Sequence, residues 1–255
     1  MEKFEITRII SGNRKMEFFP VSEEVPFTIE INGKELSTLL CSPYDLENLV
    51  AGFLFTSGLI NDISALRNIV IDRQQWKAIV EIDPDGFPED MVFKRIYTSG
   101  CGKGVVFHNP MDLMDHRILE YGFTVNSGEI TGLMNVFLNN SEEHKLTRGV
   151  HSSAIAADEK IIVFRDDIGR HNSVDKIIGD ALSRRIKFDD KMVLTSGRIS
   201  SEIISKALRC GFPVLISAGA PTDQAVKLAR SINLTLIGLA RGKAMNIYTG
   251  EQRII

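Results

Sequence analysis

The chain is expected to be an α/β protein, on two observations. In the second half, short apolar strand-like runs alternate with segments of helical period, as in a largely parallel sheet covered by helices. In the first half, β-rich runs surround one clear amphipathic helix, which predicts a mixed α+β unit. With 255 residues there is room for one large domain or two ordinary ones. The expected boundary lies near residues 122 to 127. It divides an N-terminal domain, 1–124, from a C-terminal α/β domain, 125–255.

Val25 to Ile31 and Leu36 to Cys41 are apolar, β-branched runs on either side of Asn32-Gly33, a hairpin turn signal. A helix follows, with Ser42 expected as its cap and Pro43 at its first position. Leu46, Leu49, Val50, Phe53 and Leu54 line one face, and Gly58 is placed to end it. Short strands are expected at Ile69 to Ile71 and Ala78 to Ile82, then an exposed turn over Asp83 to Asp90. Met91 to Thr98 reads as a strand leading into a cysteine loop. Asn109 to Tyr121 and Ser127 to Leu138 read as helices.

Further on, Ala154 to Ala157 and Lys160 to Phe164 form a hairpin around Asp158-Glu159. Val174, Ile177, Ile178, Ala181 and Leu182 recur at helical spacing. Met192 to Leu194 is a strand, and Ser200 to Leu208 a helix closed by Gly211. Pro213 to Ser217 is a strand, Thr222 to Ile232 a helix, Leu234 to Ala240 a strand, and Ala244 to Tyr248 a last strand.

The composition, 44% hydrophobic and 25% charged, is that of a soluble globular protein. A net charge of -3 gives no global attraction to nucleic acid or membranes, so any anion must be held by a local site. No apolar run reaches the roughly 18 residues a membrane span needs, and the N-terminus lacks a signal-peptide profile. The three cysteines, Cys41, Cys101 and Cys210, show no C-x-x-C spacing, which argues against a disulfide framework or zinc ribbon. A cytoplasmic protein with reduced thiols is expected. His108, His116 and His144 have no metal-ligand spacing, and Met111 and Met114 read as core, so no protein-ligated metal is expected.

Cys101 is the candidate reactive group. Glycines at 100, 102 and 104 leave its sulfur unshielded, and Lys103 favours the thiolate. Cys41 and Cys210 end an apolar strand and an amphipathic helix, and read as packing residues. Three strand-to-helix junctions each carry a glycine: Asp166 to Asn172 with Gly169, Arg170 and His171; Thr195-Ser196-Gly197-Arg198; and Ser217 to Thr222. In a parallel sheet all three lie at the carboxyl edge, where helix N-termini and arginines suit an anion or nucleotide. Leu239-Ala240-Arg241-Gly242-Lys243-Ala244 is a further candidate contact at that edge. His171 and Asp175, four apart, are expected to share a helix face if the helix already includes His171, with Asn172 as a helix cap in the alternative reading. His151 is placed to reach a site, but the zinc deaminase pattern is absent.

Taken together, these segments resemble the FdhD family of formate dehydrogenase accessory sulfurtransferases. The resemblance runs through Glu24-Val25-Pro26, Asn32-Gly33, Ser42 to Leu46, Gly52-Phe53-Leu54, Thr98 to Gly102, Asp167 to Lys176, Ser196-Gly197-Arg198, Ala220-Pro221-Thr222 and Arg241 to Tyr248. It implies a sulfurtransferase that takes persulfide sulfur from a cysteine desulfurase onto Cys101. The sulfur then goes to the molybdenum bis(molybdopterin guanine dinucleotide) cofactor for formate dehydrogenase maturation. It places cofactor binding on Leu239 to Ala244, and it implies a homodimer with a three-layer, cytidine-deaminase-like C-terminal domain. Many family members carry C-x-x-C in the loop, whereas here the second position is Gly104. A single carrier thiol suffices, because a second is needed only for a disulfide-forming step. Two other readings stay open at this point: a non-catalytic guanine-nucleotide-binding chaperone, and a nucleotide hydrolase with Cys101 as nucleophile and His151 or His171 as base.

Overall fold

A computed structural model of the chain describes residues 1–83, 96–97, 105–106, 118–120 and 122–255. Cys101 and its loop, His108, His116, Met111 and Met114 lie outside the described residues. So do the turn expected after Asp83 and most of the helix expected over Asn109 to Tyr121; Ile118 to Glu120, which are described, are not helical.

The chain opens with a two-stranded antiparallel ribbon, β1 (Glu2–Ile10) and β2 (Asn13–Val21), turned by Ser11 and Gly12 at positive φ. A four-stranded sheet follows in the order β4-β3-β6-β5, formed by β3 (Val25–Ile31), β4 (Lys34–Cys41), β5 (Leu66–Asp72) and β6 (Lys77–Ile82). Alternation along β3 buries Phe27, Ile29 and Ile31, which pack with Ala78 and Val80 against α1 (Leu46–Thr56). The helix does not begin as expected. Asp45, in the left-handed region, is its N-cap, and Ser42 is drawn away to the second half of the molecule. Two short strands, β7 (Ile96–Tyr97) and β8 (Val105–Val106), pair antiparallel.

The second half forms a six-stranded sheet. Its strands are β9 (His151–Ala157), β10 (Lys160–Asp167), β11 (Met192–Thr195), β12 (Val214–Ser217), β13 (Thr235–Arg241) and β14 (Ala244–Thr249), in the order β10-β9-β11-β12-β13-β14. β11, β12 and β13 are parallel; β9 runs against both β10 and β11, and β14 runs against β13. The sheet is therefore mixed, because each hairpin adds one reversed strand. β10, β11, β12 and β13 all end at the same edge.

Side chains alternate between the two faces of this sheet. Val193, Leu215 and Leu236 pack with α4 (Arg170–Ser183), α5 (Ser201–Cys210) and α6 (Asp223–Ser231). Met192, Leu194, Val214, Ile216 and Ile237 pack with Ile130, Leu133, Met134 and Phe137 of α2 (Ser127–Leu138) on the other face. The result is three layers, helix on sheet on helices. A six-residue helix, α3 (Glu142–Thr147), capped by Ser141, leads into β9. Among the described residues, no helix is long and apolar enough to cross a membrane.

The first sheet meets the second across α1 and α4. Their backbones approach so closely that a Cβ added at Gly52 would overlap the Asp175 carbonyl, and one at Gly179 the Asn48 carbonyl. Buried polar groups cross the same boundary. Asp175 accepts from Thr56 Oγ1 at 2.7 Å and from Lys206 Nζ at 2.5 and 2.7 Å. Asp167 and Lys176, both without exposed surface, pair at 2.7 Å within the second half, and both bond the Ser42 backbone across the boundary. Partnering of this kind is what lets charged groups be buried at all.

Candidate functional site

The polar turn after β10 is held rigid from inside. Asp167 accepts from Gly169 N at 2.8 Å, from Asn172 Nδ2 at 2.9 Å and from Ser42 N at 3.1 Å. Ser42 Oγ in turn accepts from Ile168 N at 3.1 Å. Asn172 is thus not the cap of α4. It lies inside the helix, its amide also donates to Leu40 O, and Gly169 takes the N-cap position. Fixing this turn fixes where Arg170, the first helical residue, leaves the sheet edge.

The turns after β11 and β12 stack on it. A Cβ at Gly219 would come within 2.8 Å of Gly197 O, and one at Gly197 within 3.0 Å of Arg170 Cβ and 3.4 Å of His151 Nδ1. Glycine is what allows these loops to approach. The turn after β13 joins them: Leu239 N donates to Gly219 O, and Arg241 Nε donates to Ala218 O at 3.0 Å. Arg241 pairs with Ala244 across the tight turn to β14, in which Gly242 takes φ +60°.

Between this edge and the end of α2 lies a pocket of about 340 Å³. One wall is apolar, from Phe137 and Leu138. The rest of the lining is mostly polar, from His144, Arg148, His151, Ser152, Ser196 and Arg241, together with Gly149, Val150, Ile168 and Ala218. Two imidazoles are oriented there, one by the backbone and one by the Ser196 hydroxyl. His144 Nδ1 lies 2.9 Å from Val150 O, and because a carbonyl only accepts, Nδ1 carries the proton. Ser196 Oγ accepts from Ser152 N at 2.9 Å, which leaves its hydroxyl proton for His151 Nδ1 at 3.4 Å. Burial holds the His151 pKa below its usual 6.5, and the nearby Arg170, His144 and His171 push it the same way. His151 is therefore neutral at pH 7. An apolar wall combined with two arginines and two imidazoles suits a ring bearing anionic groups.

The residues singled out in the sequence divide into groups here. Ser196 and Arg241 line the pocket, and Arg170 lies behind Gly197 and His151. Leu239, Gly242, Lys243 and Ala244 are exposed at the adjoining turn, while Ala240 is buried. Arg198 is exposed and is not part of the pocket wall. His171 and Asp175 part company: His171 Nε2 lies 2.8 Å from Glu202 Oε2, whereas Asp175 turns to Lys206. The sequence reading missed Arg148, Phe137 and Leu138, and gave His144 no role. The available signal was the direction of β9: as the reversed strand, it begins at the edge where the others end. Cys41 and Cys210 are buried in separate cores, as expected of packing residues. Cys101 lies in sequence between β7 and β8, outside the described residues. Among the described residues, no cluster of three His, Cys, Asp or Glu side chains could hold a metal ion.

Residues 22–255 match the model of the FdhD/NarQ family. The chain belongs to that family. It is 38% identical over 251 residues to a protein of Geobacillus kaustophilus named sulfur carrier protein FdhD, covering 98% of this chain and 95% of the relative. A protein of the same name from Bacillus pumilus is 37% identical over 252 residues, with 97% and 96% covered. Among solved structures, a putative formate dehydrogenase accessory protein from Desulfotalea psychrophila superimposes with a TM-score of 0.81 at 26% identity, covering 100% of this chain and 99% of that one. Whole-chain agreement of this kind supports the fold described above, including the arrangement of its several sheets.

Proposed function

We propose that this member of the FdhD/NarQ family is a sulfur carrier that acts as a sulfurtransferase in formate dehydrogenase maturation. Cys101 is the carrier. Its thiolate attacks the terminal sulfur of a cysteine desulfurase persulfide; the donor S–S bond breaks, the donor thiolate leaves, and a new S–S bond forms on Cys101. No oxidant is consumed. The terminal sulfur then passes to the molybdenum bis(molybdopterin guanine dinucleotide) cofactor, the acceptor substrate: the S–S bond on Cys101 breaks, Cys101 leaves as the thiolate, and the transferred sulfur takes two electrons from the reduced metal of that substrate. The names of the relatives support the carrier role.

The observation that carries the cofactor half of the proposal is the convergence at one sheet edge. Four strand ends, the Arg241 to Ala244 turn and the cationic pocket gather there, and a dinucleotide needs such a place for its pyrophosphate. Leu239 to Ala244, with Gly169, Arg170, Ser196 and Gly197, form the proposed cofactor edge. His171, bound to Glu202, and the exposed Arg198 stand at its margin. The proposed assembly is a homodimer working in the cytoplasm with a cysteine desulfurase and formate dehydrogenase.

Loading decides the matter. After incubation with a desulfurase and cysteine, intact-mass analysis is expected to find one added sulfur, mapping to the Cys101 peptide and missing from Cys101→Ala. An adduct of equal size on the alanine variant would sink the carrier assignment.

A further inference from the structure

The N-terminal ribbon carries apolar surface that the fold leaves bare. β1 and β2 pair only with each other among the described residues, and α3 lies against β2. Nine residues per strand, at a rise of about 3.3 Å each, give an arm roughly 30 Å long. Residues directly opposite in an antiparallel pair share a face. The register sets Glu5 opposite Phe18, Thr7 opposite Met16 and Ile9 opposite Arg14, all on one face. Phe18, Met16 and Ile9 are 69%, 65% and 60% exposed, and form one diagonal stripe. The match to the family model begins at residue 22, just beyond the ribbon.

We infer that this face packs on the same face of a second copy of the chain, making the ribbon a dimerisation arm. This rests on the homodimer reading above and not on the sulfur route. Two features select a second copy as the occupant. A two-stranded ribbon is marginal alone in water, and gains stability when another apolar sheet face covers it. The face is also self-complementary. A twofold axis perpendicular to the strands at the Thr7–Met16 pair lays Met16 on its own copy. It brings Glu5 and Phe18 of one chain against Ile9 and Arg14 of the other, at both ends of the stripe. Each end then holds one anion, one cation and two apolar side chains. Glu5 and Arg14 are exposed and make no ion pair among the described residues, whereas the opposite face spends its charges internally through Arg8–Glu17 and Lys15–Glu17. The area sets the strength of the contact. The three stripe side chains offer roughly 350 Å² per copy, on the basis of the area a buried aromatic contributes. That falls short of the about 800 Å² per partner of a standard interface, which makes the ribbon contact a concentration-dependent one.

Sedimentation velocity on the full chain across a micromolar concentration series tests this. The wild type is expected to associate reversibly to a dimer. Met16→Asp and Phe18→Asp are expected to weaken association by about a hundredfold. Glu5→Arg and Arg14→Glu should each weaken it, and the double reversal should restore it, a pattern that mere damage to the ribbon would not give. Far-UV circular dichroism and the fluorescence of Trp76, which sits in the other sheet's turn, report whether each variant folds. A wild type monomeric at every concentration would overturn this inference and the homodimer reading together. A dimer indifferent to all four substitutions would overturn the ribbon assignment alone. A monomer whose ribbon is shielded only when formate dehydrogenase is added would give the face to that enzyme instead.

Discussion

Cys41 ends β4 with no exposed surface, and burial, reinforced by the Asp167 carboxylate, pushes its thiol up to about 12. It therefore stays protonated at neutral pH and is a poor resolving nucleophile for a persulfide on Cys101. Iodoacetamide is expected to leave Cys41 unmodified in the native protein and to label it once urea unfolds the chain; rapid native labelling would contradict this burial. The same shift has a stability consequence. Its folded pKa lies above the unfolded value of 9.0, so its contribution is intact below pH 9 and is lost as pH rises toward 12. His151 behaves in the opposite sense. Its pKa is lowered from 6.5, so its contribution is intact above pH 6.5 and is lost as pH falls through the lowered value. Protonating it also adds a cation to the pocket. Binding of guanosine diphosphate, followed by calorimetry, should tighten as pH falls below 6.5 by more in the wild type than in His151→Gln; equal pH profiles would remove His151 from the site.

The contact between α1 and α4 depends on two glycines placed against each other's backbone. Gly52 rests on the carbonyl of Asp175, and Gly179 on that of Asn48. A methyl group at either position has no flexible side chain to displace, so the helices must separate. Gly52→Ala or Gly179→Ala is expected to cost about 3 kcal/mol, measured as a lowered urea midpoint. A change below 1 kcal/mol would mean the helices can slide apart freely. Separation would also disturb the Asp175–Thr56–Lys206 cluster and the bonds from the Asp167–Lys176 pair to the Ser42 backbone, which cross the same boundary. The turn bearing Gly169 and Arg170 is tied to that pair, so the first sheet helps to set the geometry of the pocket edge.

These ties join two apolar cores into one cooperative body. Phe55 packs against both cores, and Arg209 of α5 donates to Phe55 O and Ile60 O across the divide. The chain's one tryptophan, Trp76, packs against the first core. Urea unfolding followed by its fluorescence is expected to coincide with unfolding followed by far-UV circular dichroism, which senses both sheets. In Gly52→Ala the two curves should separate, with fluorescence falling first. Separate transitions in the wild type would show that the sheets unfold independently.

Where periodicity was strong, the sequence determined much of this protein. The strand-helix order from Ala154 to Tyr248 and the helix over Ser127 to Leu138 match the structure because the helices carry apolar residues at their own period and the buried central strands are short continuous apolar runs. Glycine-bearing junctions marked the sheet edge, and the whole-chain resemblance marked the family. The ribbon over residues 2–21 was missed in the sequence, since its apolar residues face solvent on both sides and mark no core. Tertiary structure alone decided which polar side chains meet. Ser42 serves Ile168 and not its own helix, His171 goes to Glu202 and Asp175 to Lys206. It also brought Phe137 from the end of α2 and His144 and Arg148 from α3 and its C-cap to the pocket. Sequence spacing fixes neighbours along one element, but a pocket is built between elements, and their meeting is set by packing across more than a hundred residues of chain.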